Sequence, residues 1–453
     1  MFGCTTAYML KSLGKKVALI EAGSIGGGVT SFSTAKLSAQ QKNVYTTIGS
    51  KHNAETARMY SDMNIQGTNT VERLVQELQI ECEFERRSHS TYTISNSAIP
   101  SIEQEYAYCV ELGIPCSLLN KDELAEEIPE TVLAKRAVCF PNQAQFNPYK
   151  YCTALARQHI DGDGSLVFEN SRVTNVHQNV VGPHEVLQEY NEKTSLFADH
   201  VVLATHLPIL DRSNHFAVVE PTRSVCIAVR VPNLRLTNMF ISMDQPVRSL
   251  RVTGEHQNIL VVCGNSFPMG SETNTQALYQ DLERWVETHF GSTDVVSRWS
   301  AMDYMTGDHI PYMGRLYRGC DTIYTAAGFS KWGLANGVAG AELVTDLILH
   351  GHAAKNPFQY MVDARRWDLT ATASTAMEET IHVAKHMIGD KLKHALTFTS
   401  HNTLGLNEGG IVRNGLKTVG AFRSADGAYH VVKPVCTHLG CDLVFNNGKT
   451  LLH

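Results

Sequence analysis

The chain has 453 residues, a formal net charge of −6 and a hydrophobic fraction of 43%. This length exceeds what one compact core serves and implies two to three domains, and the composition excludes a disordered or fibrous chain. The acidic balance provides no basic surface for nucleic acid or anionic lipid, and no apolar run approaches the ~18–20 residues that span a bilayer.

From the N-terminus, residues 5–13 carry Ala7, Met9, Leu10 and Leu13 on or near one face and stop at Gly14, which predicts a helix. Val17-Ala18-Leu19-Ile20 follows as a continuous apolar run, the signature of a parallel strand covered on both faces. The chain therefore opens helix then strand. A long helix is expected over 53–78, strands over 83–95 and 223–231, a helix over 149–158, and strands over 165–176, 185–190 and 200–205 around a turn at Gly182-Pro183. An amphipathic helix at 277–290 separates strand-like runs at 258–263 and 294–299, and a short strand at 322–327 precedes a helix at 334–349 with an apolar stripe through Val338, Ala341, Val344, Leu347 and Ile348. A polar stretch at 352–357 ends that body. A further helix at 378–392 and a Gly-rich set of short strands at 402–453 complete the chain. Of the eleven cysteines, nine are scattered singly from Cys4 to Cys320. Such a set reads as reduced thiols of a cytoplasmic enzyme rather than a disulfide framework.

A dinucleotide fold needs a Gly-rich turn between its first strand and first helix, so that backbone amides face a pyrophosphate. Gly3 stands where the third glycine of that turn belongs, with the strand and the two glycines before it absent. Glu21 ends the next strand close to the ~20-residue spacing of the acid that takes a ribose hydroxyl pair. Directly afterwards, Gly23-Ser24-Ile25-Gly26-Gly27-Gly28-Val29-Thr30-Ser31 and Thr34-Ala35-Lys36-Leu37 offer many free amides and hydroxyls, a second cradle for phosphate. A third feature is Ala327-Gly328-Phe329-Ser330-Lys331-Trp332-Gly333-Leu334-Ala335-Asn336-Gly337: a strand end, a tight loop, and a helix start whose unpaired amides carry partial positive charge.

With these segments, and with Val201-Val202-Leu203-Ala204-Thr205-His206, the sequence resembles FAD-dependent oxidoreductases of the D-amino-acid-oxidase and glycine-oxidase type, and more closely their bacterial subgroup with a C-terminal Rieske domain. The resemblance implies an α/β (α+β) fold in which an FAD-binding Rossmann-like domain is interleaved with an antiparallel substrate sheet, plus a partial all-β Rieske domain. FAD-binding parts are expected at about 1–60, 137–212 and 299–350, substrate parts at about 84–136 and 213–298, a helical linker at 351–395, and the Rieske part at 402–453. The flavin would rest on Gly3, Glu21, Gly26, Gly27, Gly28, Thr30, Thr34, Lys36, Val173, Thr205, Gly328, Lys331, Trp332, Gly333 and Leu334. The helix beginning near Leu334 would face the side of the flavin where negative charge appears on reduction.

In this family type a hydride passes from a substrate Cα–H to the flavin, and a guanidinium often fixes a carboxylate bidentately. Arg248, Arg251 and Lys331 are the candidate anchors, although each also fits an ordinary paired base. Near the C-terminus, Cys436-Thr437-His438-Leu439-Gly440-Cys441 is similar to the first ligand box of a Rieske [2Fe-2S] protein, in which each of two loops gives one Cys and one His. That similarity implies Cys436 and His438 as ligands, with Cys441 pairing with a cysteine of a second loop. No Cys-x-x-His box follows before His453. The expectation is a reading frame cut at both ends, inside the first turn and before the second cluster loop.

The function expected is oxidation of a C–N bond of a small amine or amino acid, with single electrons passed to the Rieske cluster and on to an acceptor. The alternatives are a flavin and iron–sulfur electron-transfer protein without an amine substrate, or an inert fragment.

Overall fold

The computed structural model describes residues 1–179, 182–188, 195–210, 214–234, 236–254, 256–271, 274–366, 404–406, 408–414, 417–434, 445–446 and 451–452. The expected helix at 378–392 and the box of Cys436, His438 and Cys441 lie outside these residues.

The N-terminal helix spans Phe2–Ser12, beginning earlier than its apolar pattern suggests, and packs against the helix Gly333–His350. Gly337 allows that approach, since a Cβ there would lie 3.4 Å from the Phe2 backbone nitrogen, and small residues also line the contacts of these helices with other elements. A Cβ on Gly3 would lie 2.8 Å from the Cβ of Ala204, and one on Gly67, in the long helix Ala54–Glu77, would lie 2.4 Å from the carbonyl oxygen of Ala335. The long helix matches its expected span, and Asn53 caps it by accepting from the Thr56 amide at 2.8 Å.

Two small parallel pieces lie in the segments expected to bind the nucleotide. Ala18–Ile20 pairs with Leu166–Phe168. Separately, Val201–Leu203 pairs with Ile323–Ala327, which pairs antiparallel with Tyr312–Arg315. Val173–His177, His184–Gln188 and Ser195–Ala198 form a side meander.

The large sheet has nine strands, in the order Asp294–Thr306, Val219–Arg230, Ile259–Pro268, Arg248–Thr253, Met239–Ser242, Glu85–Thr93, Arg136–Gln145 and Lys36–Leu37, with Ser117–Leu119 also on Arg136–Gln145. Its two faces follow from the period-2 alternation of strand side chains. Val225, Ile227 and Val229, with Leu250, Val252, Leu260 and Val262, point to one side and bury against Tyr279, Leu282 and Val286 of the helix Thr275–Phe290. Each such aliphatic side chain contributes about 1.5–3 kcal/mol. The intervening residues Ser224, Cys226 and Ser249 point to the other side and line a cavity.

Two ladders run across the divisions that the resemblance implies. Arg136–Gln145 belongs to the large sheet through its pairing with Glu85–Thr93, although 137–145 was expected in the FAD-binding part. Asp294–Thr306 runs unbroken beside Val219–Arg230, past the expected division at 298. Near the C-terminus, Glu408–Asn414, Lys417–Arg423 and Tyr429–Val432 form a three-stranded antiparallel meander.

Candidate active site

A cavity of about 1800 Å³ lies between the parallel strand pieces, the glycine-rich loop after Glu21, and the exposed face of the large sheet. That exceeds the roughly 300–1,000 Å³ of an ordinary small-molecule site.

Two helix starts enter it. Phe2–Ser12 follows Met1 with no side-chain cap and no acidic residue in its first turn, and Gly333–His350 follows Trp332 in the same state. First-turn amides have no intrahelical acceptor and carry the positive end of the helix dipole. Both ends thus leave donors facing one cavity, an arrangement that suits phosphate at one and a developing negative charge at the other.

Most residues read from the sequence as flavin contacts meet here. Gly3, Glu21, Gly26, Gly28, Thr30, Thr34 and Lys36 line the cavity, as do Val173 and Thr205. Lys331, Trp332, Gly333 and Leu334 line it too. Gly27 and Gly328 do not. Gly27 packs on its own loop, where a Cβ would lie 2.3 Å from Ser24 Oγ, and Gly328, with φ of +71°, shapes the exit from the Ile323–Ala327 strand. The Glu21 carboxylate accepts from the Gly23 amide at 2.8 Å, and the Met1 ammonium donates to Thr30 Oγ1 at 3.3 Å.

The far wall is cationic. Lys36 is buried, donates to the Phe240 carbonyl at 2.8 Å and lies 3.5 Å from His89 Nε2. Burial lowers its pKa to about 7, an effect that the nearby Cys263 opposes and Arg251 reinforces. The same burial, with the charge of Lys36, holds His89 well below the usual imidazole range. His89 Nδ1 lies 2.8 Å from Ser38 Oγ, and its ring packs on Trp332. Lys331 is exposed to the open cavity, and the protein around it lowers its pKa by desolvation, against the pull of Cys263 and Asp303. Its ammonium donates to Ser266 Oγ at 2.7 Å. Lys42 is lowered by burial and by Lys331.

Asp303 organises the junction between loop and sheet. One oxygen lies 2.8 Å from His206 Nε2, and the other accepts the backbone amide of Lys331. His206, Ser330 and Lys331 have φ of 68°, 50° and 75°. Left-handed backbone at non-glycine residues costs on the order of 1–3 kcal/mol each and persists only where the surroundings enforce it.

The two arginines stand elsewhere. Arg248 faces the Thr275–Phe290 helix, paired with Asp281, hydrogen-bonded to Asn265 Oδ1 at 2.8 Å and set over the Trp285 ring. Val247 and Ser249, of the other parity, reach the cavity instead. Arg251 shares the parity of Ser249 but is not on the cavity wall; burial lowers its pKa to about 10, opposed by Glu83 and Glu85. Sequence reasoning missed Lys42 and Asp303, which sit in no motif, and the cysteines Cys226 and Cys263, which line the cavity 37 residues apart.

Residues 1–347 match the family described as "FAD dependent oxidoreductase" (DAO), and the chain belongs to that family. It is an FAD-dependent oxidoreductase. Over 449 residues it is 28% identical to YhfW of Bacillus subtilis (strain 168), whose name describes a Rieske 2Fe-2S iron-sulfur protein; the match covers 99% of this chain and 85% of YhfW. Among solved structures it is similar to glycine oxidase from Geobacillus kaustophilus, with a TM-score of 0.65, 19% identity, and coverage of 77% of this chain and 92% of that one. It is also similar to L-proline dehydrogenase from P. horikoshii, with a TM-score of 0.65, 18% identity, and coverage of 81% and 94%. These likenesses establish the expected mixed α/β fold. Among the described residues, no helix is long and apolar enough to cross a membrane.

Proposed function

We propose that the chain oxidises the C–N bond of a small amine that bears a carboxylate, such as an amino acid. The observation that carries this reading is the cationic wall: Lys36, Lys42 and Lys331 border one cavity with the uncapped start of Gly333–His350. Its acid, Asp303, is engaged by His206 and the Lys331 amide. A carboxylate entering this wall meets one buried ammonium, Lys36, and two more accessible ones, Lys42 and Lys331, and the low local dielectric near Lys36 strengthens that contact. Lys331, rather than Arg248, is the anchor that faces the ligand space.

FAD, held along Gly3, Glu21, Thr30 and Gly333, supplies the hydride acceptor for this chemistry. The chain's own part is positioning: the lysines orient the carboxylate, the sheet excludes water, and the amides of Gly333 and Leu334 favour an anion at the end of the cavity. Two glycine- and proline-oxidising enzymes among the similar folds support the amine class.

The Cys436–Cys441 box supports a Rieske [2Fe-2S] centre, with Cys436 and His438 as ligands, and the name of YhfW points the same way. Such a centre would draw electrons singly toward a further acceptor. Among the described residues no cysteine is in a disulfide, which fits a cytoplasmic location.

Anaerobic mixing of the purified flavoprotein with a panel of amino acids and amines tests the proposal through bleaching of the flavin absorbance. Bleaching by carboxylate-bearing amines and not by their decarboxylated analogues is the expected result. Bleaching only by a reduced nicotinamide would replace it with an electron-transfer role.

A further inference from the structure

Three pairs of thiols touch among the described residues: Cys4 with Cys152, Cys109 with Cys116, and Cys226 with Cys263. In the third pair alone both residues line the large cavity. Cys226 lies on Val219–Arg230 and Cys263 on Ile259–Pro268, directly opposite in the antiparallel register. Directly opposed residues of such strands stand about 4.5–5.5 Å apart at Cα, inside the roughly 4.4–6.8 Å that a disulfide spans. The ladder on both sides holds that spacing, so the two sulfurs need no backbone movement to join.

The surroundings favour chemistry over inert packing. Cys263 is only half-buried, so a small molecule in the cavity reaches it. The Cys226 thiol donates to it, and the Lys331 and Lys36 ammoniums and the Gly264 amide also stabilise its thiolate. A partly accessible cysteine in a positive setting is the nucleophilic kind, and a second cysteine beside it is a resolving thiol.

We propose that Cys226 and Cys263 are a redox-active dithiol in the cavity wall, closed to a disulfide by a hydroperoxide and reopened by a small thiol. The Cys263 sulfur attacks the distal peroxide oxygen, the O–O bond breaks, and an alcohol or water leaves after taking a proton, giving a sulfenic acid. The Cys226 sulfur then attacks the Cys263 sulfur, the S–O bond breaks, and water leaves with the remaining proton. Two thiols and one hydroperoxide become one disulfide, one alcohol and one water. Closure removes the thiolate that faces Lys36 and Lys331 and makes the wall more positive, so the oxidant changes how the cavity holds an anion.

The test treats the purified full chain with hydrogen peroxide, blocks remaining thiols with N-ethylmaleimide in denaturant, and digests it without reductant for mass spectrometry. The expected product is a peptide pair joined through Cys226 and Cys263 that separates with dithiothreitol. In Cys226→Ser the link is absent and Cys263 is trapped by dimedone as the sulfenic acid. The wild-type measurement stands without the variant, should the variant fold poorly. Full recovery of both cysteines as maleimide adducts after peroxide overturns the proposal, as does linkage of Cys109 to Cys116 at a dose that leaves Cys226 and Cys263 untouched. Neither readout depends on turnover.

Discussion

Lys36→Met removes a cation that the fold holds at a cost. A buried lysine whose pKa falls from 10.5 to about 7 binds its proton less well folded than unfolded. At each pH below the folded pKa the unfolded state therefore gains the full difference, which at ~1.4 kcal/mol per pKa unit amounts to about 5 kcal/mol. Between the folded and unfolded values this cost fades, so stability from this group rises with pH through that window and levels off above it. The substitution also leaves the Phe240 carbonyl without its side-chain donor, which offsets roughly 1–2 kcal/mol. Lys36→Met is expected to be more stable than wild type by on the order of 3 kcal/mol at about pH 6, with the advantage lost near pH 10. Paired urea denaturations of the two proteins across that range read the difference directly. A gap that does not vary with pH, or a less stable variant at the acid end, would show that Lys36 is not a charge held at a cost, and the cationic wall would lose its deepest member.

Asp303→Asn weakens the contacts to His206 and to the Lys331 amide at once; a loss of roughly 1.5–3 kcal/mol in thermal stability and a lower flavin content on purification are expected. Gly3→Val places methyl groups where a Cβ alone would already lie 2.8 Å from Ala204, so it should cost about 1–3 kcal/mol and yield colourless protein, judged by the flavin spectrum. Arg248→Ala should lower stability by roughly 1–2 kcal/mol, through the lost hydrogen bonds of a side chain that is 6% exposed, since its partner Asp281 is 42% exposed and stays solvated, while leaving KM for an anionic substrate unchanged. Lys331→Met should do the reverse, raising KM about tenfold or more with little change in melting temperature.

The nucleotide-binding elements are legible because their signals are local. Glycines, one acid at a fixed spacing and an apolar strand occur within a single stretch ending at Leu37, and the loop at Gly328–Gly337 is equally compact, although that strand, Ala18–Ile20, is half-buried rather than covered on both faces as expected. The arginines show where locality fails, and also a sign that was present. Arg248 shares its parity with Leu250 and Val252, the apolar phase of its strand, so alternation alone assigns it to the packed face. Arg251 has the opposite parity, and only its position along the strand, near Glu85 and beyond the ligand space, takes it off the wall. The pairing of Cys226 with Cys263 depends on the register of a hairpin-like excursion through two other strands, which no short motif encodes.

The two helix starts at Phe2 and Gly333 meet in one chamber, though nearly the whole of the family-matched segment separates them along the chain. During synthesis the chamber cannot begin to close until residue 333 has left the ribosome. Closure then joins distant stretches, the kind of step that is slow because chain entropy is surrendered before contacts form. FAD, whose expected contacts include both Gly3 and Gly333, would bind the closed form and pull assembly forward by mass action. Cells short of riboflavin should therefore accumulate less of this protein, not merely a colourless version of it.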